Sequence, residues 1–142
     1  MMSKSPRIKT TEALLDGYSS LNVDRLMSPL SSDFSHQVLP ESLGMPVRNA
    51  NQFAEHAAQI FSVFSQFRMS PKAMFEDQGQ NVVVVHARME GTLKSSNEEW
   101  RNECVMIISL SEDGTQVVKV EEFVDSAKAI EMRKKHVSNM AE

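Results

Sequence analysis

The stretch NVVVVHARMEGTLKSSNEEWRNECVMIISLSEDGTQVVKVEEFV, residues 81–124, decides the fold. Runs rich in Val and Ile are interrupted by KSSN and SEDG, and DQGQ precedes the first run, so each run reads as a strand bounded by turn formers. Extended segments are predicted over Lys72 to Asp77, Asn81 to Leu93, Glu98 to Leu110 and Thr115 to Val124. Short connections between successive strands give an antiparallel meander. The two middle segments are each about 13 residues, or about 43 Å if flat, which is too long for a small domain unless the sheet curls or carries bulges.

Upstream the period changes from two to that of a helix. Thr10 or Thr11 caps a segment in which Leu14, Leu15, Tyr18 and Leu21 recur on one face, with Gly17 weakening it. Asn22 caps a short helix carrying Val23, Leu26 and Met27, limited by Pro29. Asp33 to Leu39 alternates as a short strand, and Pro40, Gly44 and Pro46 then impose a loop. A long helix is predicted over Ala50 to Phe67. Asn49 with Gln52 resembles a capping box, and Phe53, Ala57, Ile60, Phe64 and Phe67 form its apolar stripe. His56 lies on the shoulder of that stripe, about 60° from its centre at 100° per residue. Downstream, Asp125 or Ser126 caps a last helix, SAKAIEMRKKH, whose basic final turn suits the helix dipole.

This order, with helices first and a long meander later, indicates an α+β domain in which the Phe-striped helix lies in the concave face of the curled sheet. Such a cone has an open end, where a pocket between helix and sheet suits an apolar small molecule. The 142 residues are read as one domain, with about 1–9 and about 137–142 as flexible ends. Fifteen basic against nineteen acidic residues give a net charge of −4, which disfavours nucleic acid and anionic lipid as partners. The longest aliphatic run, Val82 to Val85, is far below the roughly 18 residues of a membrane span. A single cysteine, Cys104, and the lack of a signal-like apolar run in the first 30 residues make the cytoplasm the expected location.

The element order, the strand VVVVHARMEG ending in glycine, the hairpin LSEDGT and the closing EEFVDSAKA together resemble the SnoaL-like polyketide cyclases of the nuclear transport factor 2-like superfamily, over nearly the whole chain. Within that family FSHQVLPESLGMP, HARMEG and EWRNECVMII are most similar to small fungal members from polyketide and meroterpenoid pathways, some of which are isomerases or cyclases. The resemblance implies a cone-shaped fold of order ααβαββββα, a curled antiparallel sheet wrapped on a long helix, and a homodimer. It also implies an acidic residue where the sheet closes, the place of Asp125. The superfamily includes ketosteroid isomerases, scytalone dehydratases, epoxide hydrolases and inactive members, so the site must choose the reaction.

Several chemistries lack their motifs. The closest glycines are Gly79 and Gly91, so neither a P-loop nor a dinucleotide fingerprint is present in its usual form. There is no G-x-S-x-G elbow. His36, His56, His86 and His136 show no His-x-His or HExxH spacing, and neither a metal nor another cofactor is expected.

Strand parity sorts the remaining candidates. His86 and Arg88 share a face with Val82, Val84 and Glu90. Either that face is inside the cone, making His86 an acid or base and Arg88 a clamp on an enolate or carboxylate, or it is the outer or dimer face. Trp100, Asn102, Cys104, Met106 and Ile108 read as a cavity wall: Trp100 and Met106 supply apolar surface, and Asn102 donates to a ligand oxygen or satisfies backbone groups. Phe64 faces the same space from the helix stripe. Cys104 lacks an activating cation and reads as inert. Glu122 shares a face with Val118, Val120 and Val124, where lost hydration raises a carboxyl pKa toward that of a general acid or base; otherwise it pairs with Arg88 or Arg101. Asp125 is a catalytic acid or a helix cap. His36 and Glu41 flank the first strand and its loop at the mouth, and His56 either packs on the sheet or faces a ligand. The expected activity is cofactor-independent acid–base isomerisation or cyclisation of an apolar polyketide or meroterpenoid carbonyl compound. The alternative is a non-catalytic small-molecule-binding or dimerisation module of the same fold.

Overall fold

The computed structural model describes residues 3–136. Helix α1 runs Pro6–Ser20, entered by Ser5, whose side chain accepts from the Ile8 amide, with proline in the first turn. The residues expected to be a flexible start therefore include its first turn, tied down where Arg7 Nε and Ser5 Oγ both donate to Glu76 Oε2 at 2.7 Å. Helix α2, Val23–Met27, is capped by Asn22. Gly17 is what lets the two helices touch, since a Cβ there would come within 2.7 Å of Leu26 Cα. Strand β1, Leu30–Leu39, is followed by a cis Leu39–Pro40 bond, a 3₁₀ turn at Glu41–Leu43 and the two-residue strand β2, Arg48–Asn49. Helix α3 spans Ala50–Phe61 with the full Asn49–Gln52 capping box.

Strands β3 (Phe64–Asp77), β4 (Val82–Leu93), β5 (Glu99–Leu110) and β6 (Val117–Val124) follow, then α4, Ser126–His136. They form one six-stranded sheet of order β2-β1-β6-β5-β4-β3. The meander from β3 to β6 is antiparallel throughout, with Val82 opposite Ser109 and Val105 opposite Phe123. The sheet as a whole is mixed and not purely antiparallel, because β1 runs parallel to β6, with His36 opposite Val120 and Val38 opposite Glu122. Nothing local in the sequence encodes that pairing.

The helix predicted to Phe67 stops at Phe61, and Phe64 and Phe67 belong to a strand. Pairing with β4 over the whole of β3 outweighs the helical spacing of these phenylalanines. Residues three apart on a regular strand face opposite ways. A register shift between Phe64 and Gln66 restores both rings to the inner face. A second shift lies between Pro71 and Ala73, on an edge strand where proline removes no ladder bond that is needed.

The inner face carries Val83, Val85, Ala87 and Met89 of β4, Cys104, Met106 and Ile108 of β5 and Val120 of β6, packed against Leu14 and Leu15 of α1 and Phe53 and Ala57 of α3. Among the described residues, no helix is long and apolar enough to cross a membrane. Residues 137–142, expected as a flexible end, lie outside the described residues.

Candidate active site

Beyond the packed core the inner face opens into a cavity of about 440 Å³. Its walls are Phe53, His56, Ala57 and Ile60 from α3, Tyr18 from α1, and the sheet residues His36, Met69, Met89, Trp100, Asn102 and Glu122. The loop residues Leu43 to Pro46 and Ala129, Ile130 and Met132 of α4 border it as well. This volume falls in the range that holds a drug-sized molecule.

His36 and Glu122 meet within it. The parallel β1–β6 register puts their backbones on neighbouring rows, and His36 Nε2 lies 2.8 Å from Glu122 Oε1. His36 is 3% exposed and the Glu122 side chain 12%, so the carboxylate is the member of the pair that presents itself to the cavity. The imidazole rests against the Phe53 ring, centroids 4.8 Å apart. Its Nδ1 is buried with no hydrogen-bond partner. A proton there would lack an acceptor, so the favoured tautomer carries its proton on Nε2 and donates it to Glu122. Histidine thereby fixes one carboxylate oxygen and leaves the other for a ligand.

Tyr18 is the third polar group of this region. Burial, with Glu122 and then Cys104 adding, pushes its phenol well above the ordinary tyrosine value. It is therefore a neutral hydrogen-bond donor at any working pH. Burial likewise pushes the Cys104 thiol up, with Glu122 and Glu103 adding, which keeps it out of the reactive thiolate form. Among the described residues, no group of three or more His, Cys, Asp or Glu side chains is placed to hold a metal ion.

The other candidates divide. His56, Phe64, Trp100 and Asn102 line the cavity. Asn102, however, is engaged with backbone at both ends: its Oδ1 accepts from the Glu103 amide at 2.8 Å and its Nδ2 donates to the Asp125 carbonyl at 3.4 Å. Met106 is fully buried beneath the wall, opposite Glu122. His86 and Arg88 stand on the outer face, where His86 Nε2 pairs with Glu103 Oε2 and Arg88 is exposed. The alternation of β4 assigns the inner side to Val83, Val85, Ala87 and Met89, so a role for His86 or Arg88 inside the cone does not fit this geometry. Glu122 is paired with His36 and not with Arg88 or Arg101. Asp125 sits after β6 with Oδ1 3.4 Å from the Lys128 amide, in helix-cap position, and outside the cavity lining. Glu41 is exposed on the 3₁₀ turn beside the mouth.

Sequence reading placed His36 at the rim when it lies deep in the site, and it took Tyr18 for packing. The Tyr18 signal was its position on the apolar face of α1 as the chain's one tyrosine. A buried arginine, Arg48, is the cross-strand neighbour of His36 and carried no such signal.

Comparison with known proteins agrees with this architecture. The SnoaL-like domain model matches residues 11–120. The monooxygenase nsrS of Aspergillus novofumigatus is 32% identical over 102 residues, covering 71% of this chain and 68% of that protein. Among solved structures, BvnE pinacolase from Penicillium brevicompactum superposes with a TM-score of 0.83 at 19% identity, covering 91% of this chain and 92% of that one. AusH from Aspergillus nidulans superposes at 0.79 with 22% identity, covering 89% and 88%. The chain belongs to the SnoaL-like family and has its cone-shaped nuclear transport factor 2-like fold.

Proposed function

We propose that this SnoaL-like chain is an isomerase or cyclase that works without a cofactor on an apolar polyketide or meroterpenoid carbonyl compound. Glu122 takes a proton from a carbon next to the carbonyl and returns it elsewhere on the molecule. His36 orients the carboxylate, and the Tyr18 hydroxyl donates to the oxygen on which negative charge develops. The surrounding apolar side chains exclude water, so each of these polar contacts acts in a low dielectric. The observation that carries the reading is the buried His36–Glu122 contact of 2.8 Å on the wall of a cavity large enough for a substrate.

Proton abstraction is measurable before the substrate is known. Incubating the protein in D₂O with enolisable polycyclic ketones and following deuterium wash-in by NMR reads that step alone. Glu122→Gln keeps the shape and removes the base, and should slow exchange by about 10²-fold or more. Equal exchange in the two proteins removes Glu122 from catalysis, and no exchange above buffer with any ketone that binds favours a binding module.

The description of the Aspergillus relative as a monooxygenase favours a second reading of the same site. The enolate made by Glu122 would then be trapped by dioxygen in place of a proton, a CH₂ group and O₂ giving C=O and H₂O with no outside reductant. Stoichiometric oxygen uptake distinguishes it from isomerisation.

A further inference from the structure

Beside the His36–Glu122 pair the chain buries an arginine. Arg48 stands directly opposite His36 where β2 pairs antiparallel with β1, so the two side chains leave the sheet on the same face, with Cβ atoms about 4.5–5.5 Å apart. Arg48 is 6% exposed while Val47 next to it is 57% exposed, the reverse of the usual partition between a charged and an apolar side chain. Asn49, which caps α3, pairs with Ser35 in the same short ladder, so helix and strand together fix where the arginine starts. Among the described residues, Arg48 and Glu122 are the buried arginine and the buried carboxylate, and His36 lies between them in the strand order β2-β1-β6.

The arginine acts on both members of the pair in one direction. A guanidinium keeps its charge at any pH at which the protein is folded. That charge opposes a second proton on His36 and favours the ionised form of Glu122. Without it, a histidine and a carboxylate shielded from water take up a proton more readily, because the protonated pair carries no net charge. An imidazolium would hold Glu122 in an ion pair and make it a weaker base. The other charged or titratable groups around the pair are few. Burial keeps Tyr18 of α1 and Cys104 of β5 neutral, Lys134 of α4 borders the cavity but is exposed, and His56 lines the cavity from α3.

We infer that Arg48 is a positioning residue that sets the protonation state of the site, keeping His36 neutral with its proton on Nε2 and Glu122 ionised. That these charge states make Glu122 a ready base rests on the proposed function; the charge states themselves do not.

Nuclear magnetic resonance on the full chain with ¹⁵N-labelled histidine reads them without turnover. Long-range ¹H–¹⁵N correlations separate the Nε2–H tautomer, the Nδ1–H tautomer and the imidazolium, and His36→Phe and His56→Gln assign the two cavity histidines. The parent should show His36 as the Nε2–H tautomer at pH 7. Arg48→Met should raise the pH at which the His36 imidazolium appears by about one unit or more, and Arg48→Lys, which keeps the charge, should stay within about 0.3 of the parent. An unchanged midpoint in Arg48→Met, or a parent with His36 as imidazolium at pH 7, overturns the inference. Where Arg48→Met does not fold, the same substitution in Glu122→Gln repeats the comparison with no buried carboxylate left behind. There too His36 should protonate at a higher pH than in Glu122→Gln alone, and equal midpoints overturn the inference. In the deuterium-exchange assay the acidic limb of the pH profile should move up in Arg48→Met as far as the His36 midpoint does. Equal exchange by parent and Glu122→Gln defeats the proposed function and leaves the charge states standing, whereas an active chain whose His36 midpoint ignores Arg48 defeats this inference alone.

Discussion

Replacing His36 by Phe tests the buried pair as a physical unit. The phenyl ring fills nearly the same volume and keeps its contact with Phe53, whose centroid is 4.8 Å from that of His36. It removes the donor 2.8 Å from Glu122 Oε1, in a place where the carboxylate side chain is 12% exposed and cannot recruit full hydration. Breaking a buried pair from one side costs about 3–5 kcal/mol. For a chain of this length that is a fall in melting temperature of about 10–15 °C, or a shift in urea midpoint of about 2 M. Glu122→Gln is milder, about 1 kcal/mol, because the amide oxygen still accepts from His36 Nε2. The double variant His36→Phe with Glu122→Leu removes both polar groups and should lie within about 1 kcal/mol of the parent. Urea unfolding followed by circular dichroism on the parent, His36→Phe, Glu122→Leu and the double variant closes the cycle. A coupling below about 0.5 kcal/mol would mean that the two side chains are independent, and the pair would lose its place in the mechanism.

Tyr18 is the one tyrosine of the chain, so tyrosinate absorbance during an alkaline titration reports on it alone. Its pKa is raised on folding, which adds stability that is fully present below the unfolded value near 10 and is lost as pH rises through the folded value. Tyrosinate should therefore appear only together with unfolding, and its appearance near pH 10 in the folded protein would refute the neutral donor. The outer sheet face exposes Phe75, Val105 and Phe123, with Val105 and Phe123 in direct register, and we propose it as the contact of a C2 homodimer. Sedimentation at micromolar concentration should give twice the chain mass and Phe123→Lys a monomer; a monomeric parent rejects the contact.

The strands, their turns and the antiparallel order of the meander were legible because β-branched runs and turn formers are local signals. What parity could not supply was the choice of face. The run Val82 to Val85 is apolar on both sides, so β4 alternation alone left open whether His86 and Arg88 or Ala87 and Met89 look inward. Packing decides it: the smaller and fully apolar set lies under the helices, and His86 finds Glu103 on the wet side. The helix boundary failed for a related reason. The spacing from Phe53 to Phe67 is helical, and only the bulge in β3, which exists because β4 is there to pair with, shows that the last two rings reach the same cavity from a strand.

The pair that makes the site lies beyond local reading altogether. His36 and Glu122 are 86 residues apart in the chain and meet because β1 joins the meander edge-on and parallel to β6. Each residue taken singly carried a plausible local role, His36 at a loop mouth and Glu122 as a carboxylate on a valine face. Burying either alone would be costly, and burying both in contact is tolerable. That asymmetry makes the β1–β6 register a requirement of the site and not just of the sheet. A slip of one residue would turn His36 to the outer face and leave Glu122 in an apolar cavity without its histidine partner. The chain therefore has an energetic reason to keep the two strands in the one register that also assembles its acid–base pair.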